Sequence, residues 1–229
     1  QSVSNLPFIL RTRQLVFVAF PLLVTAALLA AAWRTGPWFD EFWSYYFADP
    51  SVALGDAFQS KWTRDVHPPL FSFASWIASQ LGLPRTLEAG RMLNLLPLCA
   101  SVAYVAAFWR LNPEERPFLA AFLPGAVALA QFTSAFVEFR SYFTGLCAFV
   151  LLLLIVKRLD QRDRMPLVGA NRLLVWAGQI VSLAICLNIH FVTALLAIAL
   201  VGTFALAALW RGDRRLFAAH LLSGIACCL

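Results

Sequence analysis

Charge is nearly absent from six stretches of this chain, at residues 15–32, 92–109, 118–137, 142–156, 173–189 and 191–210, and a seventh opens at Leu216. Helical segments of about 20 apolar residues match the thickness of a bilayer core. Hydrocarbon offers no partner to a backbone N–H or C=O, so each crossing segment must satisfy its own backbone as a helix. The expected fold class is therefore all-α: a polytopic transmembrane helix bundle. The whole chain agrees, with 61% of its 229 residues hydrophobic and a mean hydropathy of +0.74, where soluble domains hold about half apolar residues. No polar stretch is long enough for a separate soluble domain. Trp33, Trp109, Trp176 and Trp210 stand at or near run ends, as interfacial anchors do.

The run at 15–32 follows Arg11 and Arg13 in the manner of a signal peptide. It is too long for that role and leads straight into Trp33-Arg34, so we read it as a retained first span. The chain opens on Gln1, and its last apolar run stops at Leu229, short of a bilayer crossing. We expect a C-terminal portion beyond it. The five cysteines all lie within apolar runs without metal-ligand spacing and read as small hydrophobes. No phosphate-binding glycine loop, dinucleotide fingerprint, His-Glu-x-x-His or Cys-x-x-Cys occurs. The net charge of +6 is better explained by cytoplasmic loops than by a nucleic-acid partner.

Sidedness turns on residues 70–83, an apolar stretch of only 14 residues. If it stays out of the bilayer and the N-terminus is cytoplasmic, the 18 Lys and Arg divide as 12 inside and 6 outside. If it crosses, the same 18 divide as 5 inside and 13 outside. The excess of cytoplasmic Lys and Arg in membrane proteins selects the first arrangement. Residues 70–83 are then an interfacial helix, opened by Pro68-Pro69. The loop 34–90, the hairpin around Glu138-Phe139-Arg140 and the turn Asn188-Ile189-His190 all face outward.

The outward polar residues carry the functional lead. Asp40-Glu41 lie among Phe39, Phe42, Trp43, Tyr45 and Tyr46. Either they are a solvated acidic pair, or they are paired, bound to a metal or used in catalysis, because a carboxylate against aromatic surface beside a bilayer is costly. His67 either closes the loop or is a ligand to a metal or to a phosphate, with Asp65 adding to a polar pocket. Glu138 and Arg140 either pair with each other or free the guanidinium for a lipid phosphate, whose oxygens its fork matches, with Tyr142 as a further donor. His190 is either a satisfied interfacial histidine or a ligand to a metal or a phosphate. Arg91 and Asn94 either snorkel or line the outer cavity.

In order, Asp40-Glu41, His67-Pro68-Pro69-Leu70, the stretch Ala89-Gly90-Arg91-Met92-Leu93-Asn94-Leu95-Leu96, Glu138-Phe139-Arg140-Ser141-Tyr142 and Ile189-His190-Phe191 resemble the GT-C glycosyltransferases. Within them the pattern is most similar to the protein O-mannosyltransferase-like group (glycosyltransferase family 39), related to bacterial aminoarabinose transferases. The resemblance spans residues 15–215, and His-Pro-Pro-Leu is its most specific element. It implies a polyprenyl-phosphate-linked sugar donor and inverting transfer to an acceptor on the extracytoplasmic face, in a bacterial inner membrane. By that resemblance Asp40 is the catalytic carboxylate, and Glu41 supports it or helps hold a divalent cation. Arg140, Tyr142 and Arg91 are the candidates for the donor phosphate, and His67, Glu138 and His190 shape the pocket. Candidate metal ligands are Asp40, Glu41 and His67. Family members usually have more spans and a C-terminal extracytoplasmic portion, which we expect beyond Leu229. The chain departs from the family in having Ser141, Phe143 and Thr144 where many relatives carry a second acid. Two other readings are a non-catalytic subunit with a membrane-protein partner and a transporter of lipids or solutes. The near absence of charge within the runs argues against the transporter.

Overall fold

A computed structural model describes residues 23–65, 67–83, 86–128, 130–162 and 166–228. Every regular element among the described residues is helical. Of the first expected span, residues 15–22 lie outside them, and the rest forms α1 (Leu23–Arg34). Four helical segments are long and apolar enough to cross a membrane: Leu87–Leu111, Tyr142–Asp160, Gly169–Ile189 and Phe191–Trp210. The first comprises α5 (Leu87–Met92) and α6 (Leu95–Leu111). The others are α9 (Tyr142–Asp160), α10 (Gly169–Ile189) and α11 (Phe191–Trp210).

The expected span 118–137 falls on α7 (Arg116–Ala128) and α8 (Ala130–Phe136), with residue 129 outside the described residues. Pro124 lies within α7; it cannot donate to the preceding turn, and its ring crowds the carbonyl four residues back. The seventh run forms α12 (Arg214–Cys228), packed on α10 and α11.

The bundle is built around α9. Of its most apolar stretch 56% is buried, against 33% or less in the other three candidates. It supplies Leu154, Ile155 and Leu159 to one core cluster, Phe143 and Cys147 to a second, and Ala148, Leu152 and Val156 to a third. α11 instead turns Leu195, Ile198 and Leu206 outward, each more than half exposed. An apolar face of that extent fits a lipid environment, and the long apolar helices fit an integral membrane protein.

Helices α2 (Phe39–Phe47), α3 (Leu54–Asp56) and α4 (Leu70–Gln80) lie between α1 and α5. At 1.5 Å per residue α4 is about 16 Å long, roughly half a bilayer core. It stops early because Gly82 adopts φ +89°. That left-handed residue lets the Leu83 and Gly82 N–H groups return to the carbonyls of Ala78 and Ser79, at 3.0 and 3.1 Å. Trp76 Nε1 and Gln80 Nε2 donate to Val52 and Pro50 carbonyls at 3.0 and 2.8 Å, fastening α4 to the preceding loop.

The two ends of the bundle hold different sets of polar contacts. At one end Lys157 meets Glu115 at 2.5 Å, Arg162 meets Asp213 at 2.6 Å, and Arg211 pairs with Asp160. Asp40, His67, Arg140 and His190 gather at the other.

Candidate functional site

α2 is amphipathic in an inverted sense. Glu41, Ser44 and Phe47 point inward and are buried, while Phe39, Phe42, Trp43 and Tyr46 are 48–74% exposed. Aromatic rings turned outward with an acid turned inward suit an interfacial helix over a polar site.

Glu41 is fully buried and accepts four hydrogen bonds. Its Oε1 receives Arg91 Nε at 2.9 Å and the Phe139 N–H at 2.7 Å. Its Oε2 receives Arg91 Nη2 and the Trp38 N–H, both at 2.8 Å. Burial pushes the carboxyl up, but Arg91 and the Trp38 and Phe139 N–H groups outweigh it and hold Glu41 below its ordinary value. Arg91 gives its remaining donors to the carbonyls of Ala32, Thr35 and Gly36, at 2.7, 2.7 and 2.9 Å. A guanidinium has five N–H donors, and all five are engaged here.

This geometry corrects three expectations. Arg91 has no donor left for a phosphate and is only 1% exposed. Glu41 is fully buried with both oxygens engaged by protein donors, so it is placed as a positioning residue rather than a catalytic one. It also has no lone pair left for a cation, since a carboxylate offers about four acceptor sites. Among the described residues no three His, Cys, Asp or Glu side chains converge as a metal site. Asp40, Glu41 and His67 therefore do not fit a divalent cation as a set.

Asp40 and Arg140 do come together. Arg140 Nη1 donates to the Asp40 backbone carbonyl at 3.2 Å, and Arg140 Nη2 lies 3.8 Å from Asp40 Oδ2. The latter is an ion pair too long for a hydrogen bond. The Asp40 side chain remains 39% exposed. Arg140 is 7% exposed, and its Nε is buried without a partner. Its guanidinium lies 5.7 Å from the Tyr142 ring centre. The Tyr142 ring meets His190 at 4.9 Å, and His190 meets His67 at 5.0 Å.

The histidines differ in how they are held. His67 Nδ1 is 3.2 Å from Asp65 Oδ1. A carboxylate only accepts, so Nδ1 carries the proton in that bond and neutral His67 presents Nε2 as its base. His190 Nδ1 accepts the Val192 N–H at 3.2 Å and caps α11. Its neutral form therefore carries the proton on Nε2. Burial first, then the charges of His67 and Arg140, lower the His190 pKa below 6.5. The unfolded chain thus binds this proton more readily than the folded protein. The stability His190 contributes is complete above about pH 6.5 and is lost as pH falls through the lowered value. Asparagine also caps helices. His190→Asn is therefore expected to keep α11 intact and to flatten the unfolding-midpoint profile on the acid side of about pH 6.5. An unchanged profile would remove His190 as its source.

Glu138 is half-buried, with Oε1 3.3 Å from Ser134 Oγ. Burial raises its pKa, Ser134 and Arg140 oppose the rise, and the Glu41 and Asp40 carboxylates add to it. Asn94 proves to be a clasp. It is 1% exposed and donates to the Phe136 and Glu138 carbonyls, both at 2.8 Å. A narrow cleft of about 10 Å³, lined by Ser44, Asp65, His67, Ser72, Arg140 and Ser141 among others, unites α2, α4 and the start of α9. It is only large enough for about one water, so a larger substrate would have to part its walls or bind at the exposed Asp40 rim.

Two contributors were not anticipated. Lys61 Nζ and Trp62 Nε1 donate to the carbonyls of Tyr46 and Phe47, both at 2.9 Å, closing the C-terminal end of α2. The basic and aromatic residues 15 positions after α2 carry no local signal of that role. Comparisons with models of protein families, with curated proteins and with solved structures found no match.

Proposed function

We propose that this chain is an integral-membrane glycosyltransferase. It takes a sugar from a polyprenyl-phosphate donor and transfers it, with inversion, to an acceptor on the extracytoplasmic face. The observation that carries the reading is the Asp40–Arg140 pair, 3.8 Å apart, one member half-exposed and the other held with a buried Nε unpartnered. The ordered motifs from Asp40-Glu41 to His190 support it, and the Lys and Arg distribution supports the outward orientation.

The chemistry follows from the residues. The Asp40 carboxylate accepts the proton of an acceptor hydroxyl or amine. The acceptor atom forms a bond to the anomeric carbon as the bond from that carbon to the phosphate oxygen breaks on the opposite face. The electron pair leaves with the polyprenyl phosphate, which becomes a dianion. Arg140, in a site partly screened from water, stabilises that developing charge, with Tyr142 beside it. Glu41 and Arg91 hold α2 in place so that Asp40 faces Arg140.

The test uses purified protein in nanodiscs supplied with polyprenyl-phosphate sugars of several kinds, and follows release of polyprenyl phosphate. Cleavage of one donor class, lost in Arg140→Gln, is the expected result. Movement of lipid across liposomes without sugar–phosphate cleavage would overturn the reading in favour of a transporter. Co-purification with a fixed partner, with Asp40 and Arg140 changes silent, would overturn it in favour of a non-catalytic subunit.

A further inference from the structure

A more open cavity lies far from Asp40. It is an open cleft of about 400 Å³ where the end of α6, the end of α9 and the start of α10 meet, lined by Leu111, Glu114, Arg158, Val168, Ala170 and Asn171 among others. Its volume falls in the range of small-ligand sites. Arg158 lies 16 residues along α9 from Tyr142, about 24 Å at the helical rise.

Arg158 is 2% exposed. Its Nε donates to Asn112 Oδ1 at 2.7 Å and lies 3.2 Å from Glu114 Oε1. Its Nη1 is buried with no partner. Asn112 and Asn171 exchange side-chain hydrogen bonds of 3.0 and 2.8 Å, which fix the arginine's support to both α6 and α10. A buried guanidinium N–H without an acceptor is costly, and this one borders a cleft.

The second wall is the N-terminus of α10. That 21-residue helix begins at Gly169 after Val168, which supplies no side-chain cap. Its first turn also carries no acidic residue. Uncapped N–H groups and the positive end of the helix dipole attract anions. An orphaned arginine donor and an uncapped helix start thus border the same cleft. Glu114, 28% exposed, sits at the rim and can turn toward water. Leu111 and Val168, 39% and 71% exposed, give the cleft apolar lips.

We propose that this cleft binds a phosphate group, between Arg158 and the N-terminus of α10. The site is independent of the Asp40 chemistry. The phosphate belongs either to a lipid headgroup, whose chains would lie along Leu111 and Val168, or to a soluble phosphate.

Protein in phosphatidylcholine nanodiscs is titrated with inorganic phosphate and followed by thermal shift. In a second arm, mixed nanodiscs containing phosphatidic acid are assayed for enrichment of that lipid on the protein by native mass spectrometry. Two variants accompany the wild type. Arg158→Gln removes the guanidinium. Ala170→Asp puts a carboxylate on an exposed position of the first helical turn, where acids are tolerated or stabilising, so it answers even if Arg158→Gln fails to fold. Saturable binding in either arm, weakened about ten- to a hundredfold by the variants, is expected, the range of one charge-assisted hydrogen bond. Response to free phosphate alone identifies a soluble ligand, and enrichment of phosphatidic acid alone identifies a headgroup; both sustain the site. Absence of binding in both arms, or binding that Ala170→Asp leaves unchanged, overturns it.

Discussion

Asp40→Asn is expected to lower sugar transfer by about a hundred- to ten-thousandfold, the usual contribution of a general base, while leaving the fold intact. The contact that joins α2 to Arg140 survives the change, because Arg140 Nη1 donates to the backbone carbonyl of residue 40 rather than to its side chain. The carboxylate itself is 39% exposed and makes only a 3.8 Å approach to Arg140, so its loss removes little packing. Donor binding should hold steady or tighten, since Asn no longer competes with a phosphate for the guanidinium. The signature is therefore a fall in kcat with an unchanged or lower KM, alongside an unchanged unfolding midpoint. A variant that turns over like the wild type ends the role of Asp40.

The largest effect on stability is expected one residue further on. Glu41→Gln leaves the Arg91 guanidinium, 1% exposed, without a countercharge. Removing one partner of a buried pair costs about 3–5 kcal/mol. Arg91→Met should cost at least as much. It strands the Glu41 carboxylate and removes donors from the Ala32, Thr35 and Gly36 carbonyls together. Replacing both charges, as Glu41→Leu with Arg91→Met, should recover part of the loss, because no isolated charge remains buried. Denaturant unfolding in detergent reads all three. Turnover should fall with the folded fraction and, in the molecules that remain folded, as far as α2 loses the seat that faces Asp40 to Arg140. A Glu41→Gln protein of undiminished stability and abolished turnover would move Glu41 back into the chemistry.

Acid adds a second handle on the same pair. Glu41 is held below its ordinary value, so its contribution to stability is complete above the unfolded value of about 4.5 and is lost as pH falls through the folded one. That window opens below about pH 4.5, whereas the one set by His190 opens below about pH 6.5.

The helical class and most helix positions were legible because hydrophobic runs report burial in lipid directly. Residues 191–210 coincide with α11. α9 runs on through Lys157-Arg158-Leu159-Asp160, since long basic side chains can continue a helix out of an apolar run while their ends find partners. Proximity of Asp40 and Arg140 followed from their expected sidedness. The depth of each residue did not. Glu41 and Arg91 stand 50 positions apart, and nothing local says that one is buried against the other. An acid and a base read as site groups in sequence are, in three dimensions, each other's partner. The same limit hid Asn94 as a clasp and Lys61 and Trp62 as the closure of α2.

The bonds of Glu41 also impose an order of events on synthesis. Its partners are Arg91, 50 residues later, and the Phe139 N–H, 98 residues later. At about 5–20 residues per second, roughly 5–20 s separate the appearance of Glu41 from that of Phe139. During that interval α2 cannot settle into its final seat without burying an unneutralised acid, so water is the better place for it. The segment between α1 and α5 is thus expected to stay open while α5 and α6 form. It closes only when the start of α9 delivers its backbone donor, so completion of the site is timed by the arrival of the helix that forms the centre of the bundle.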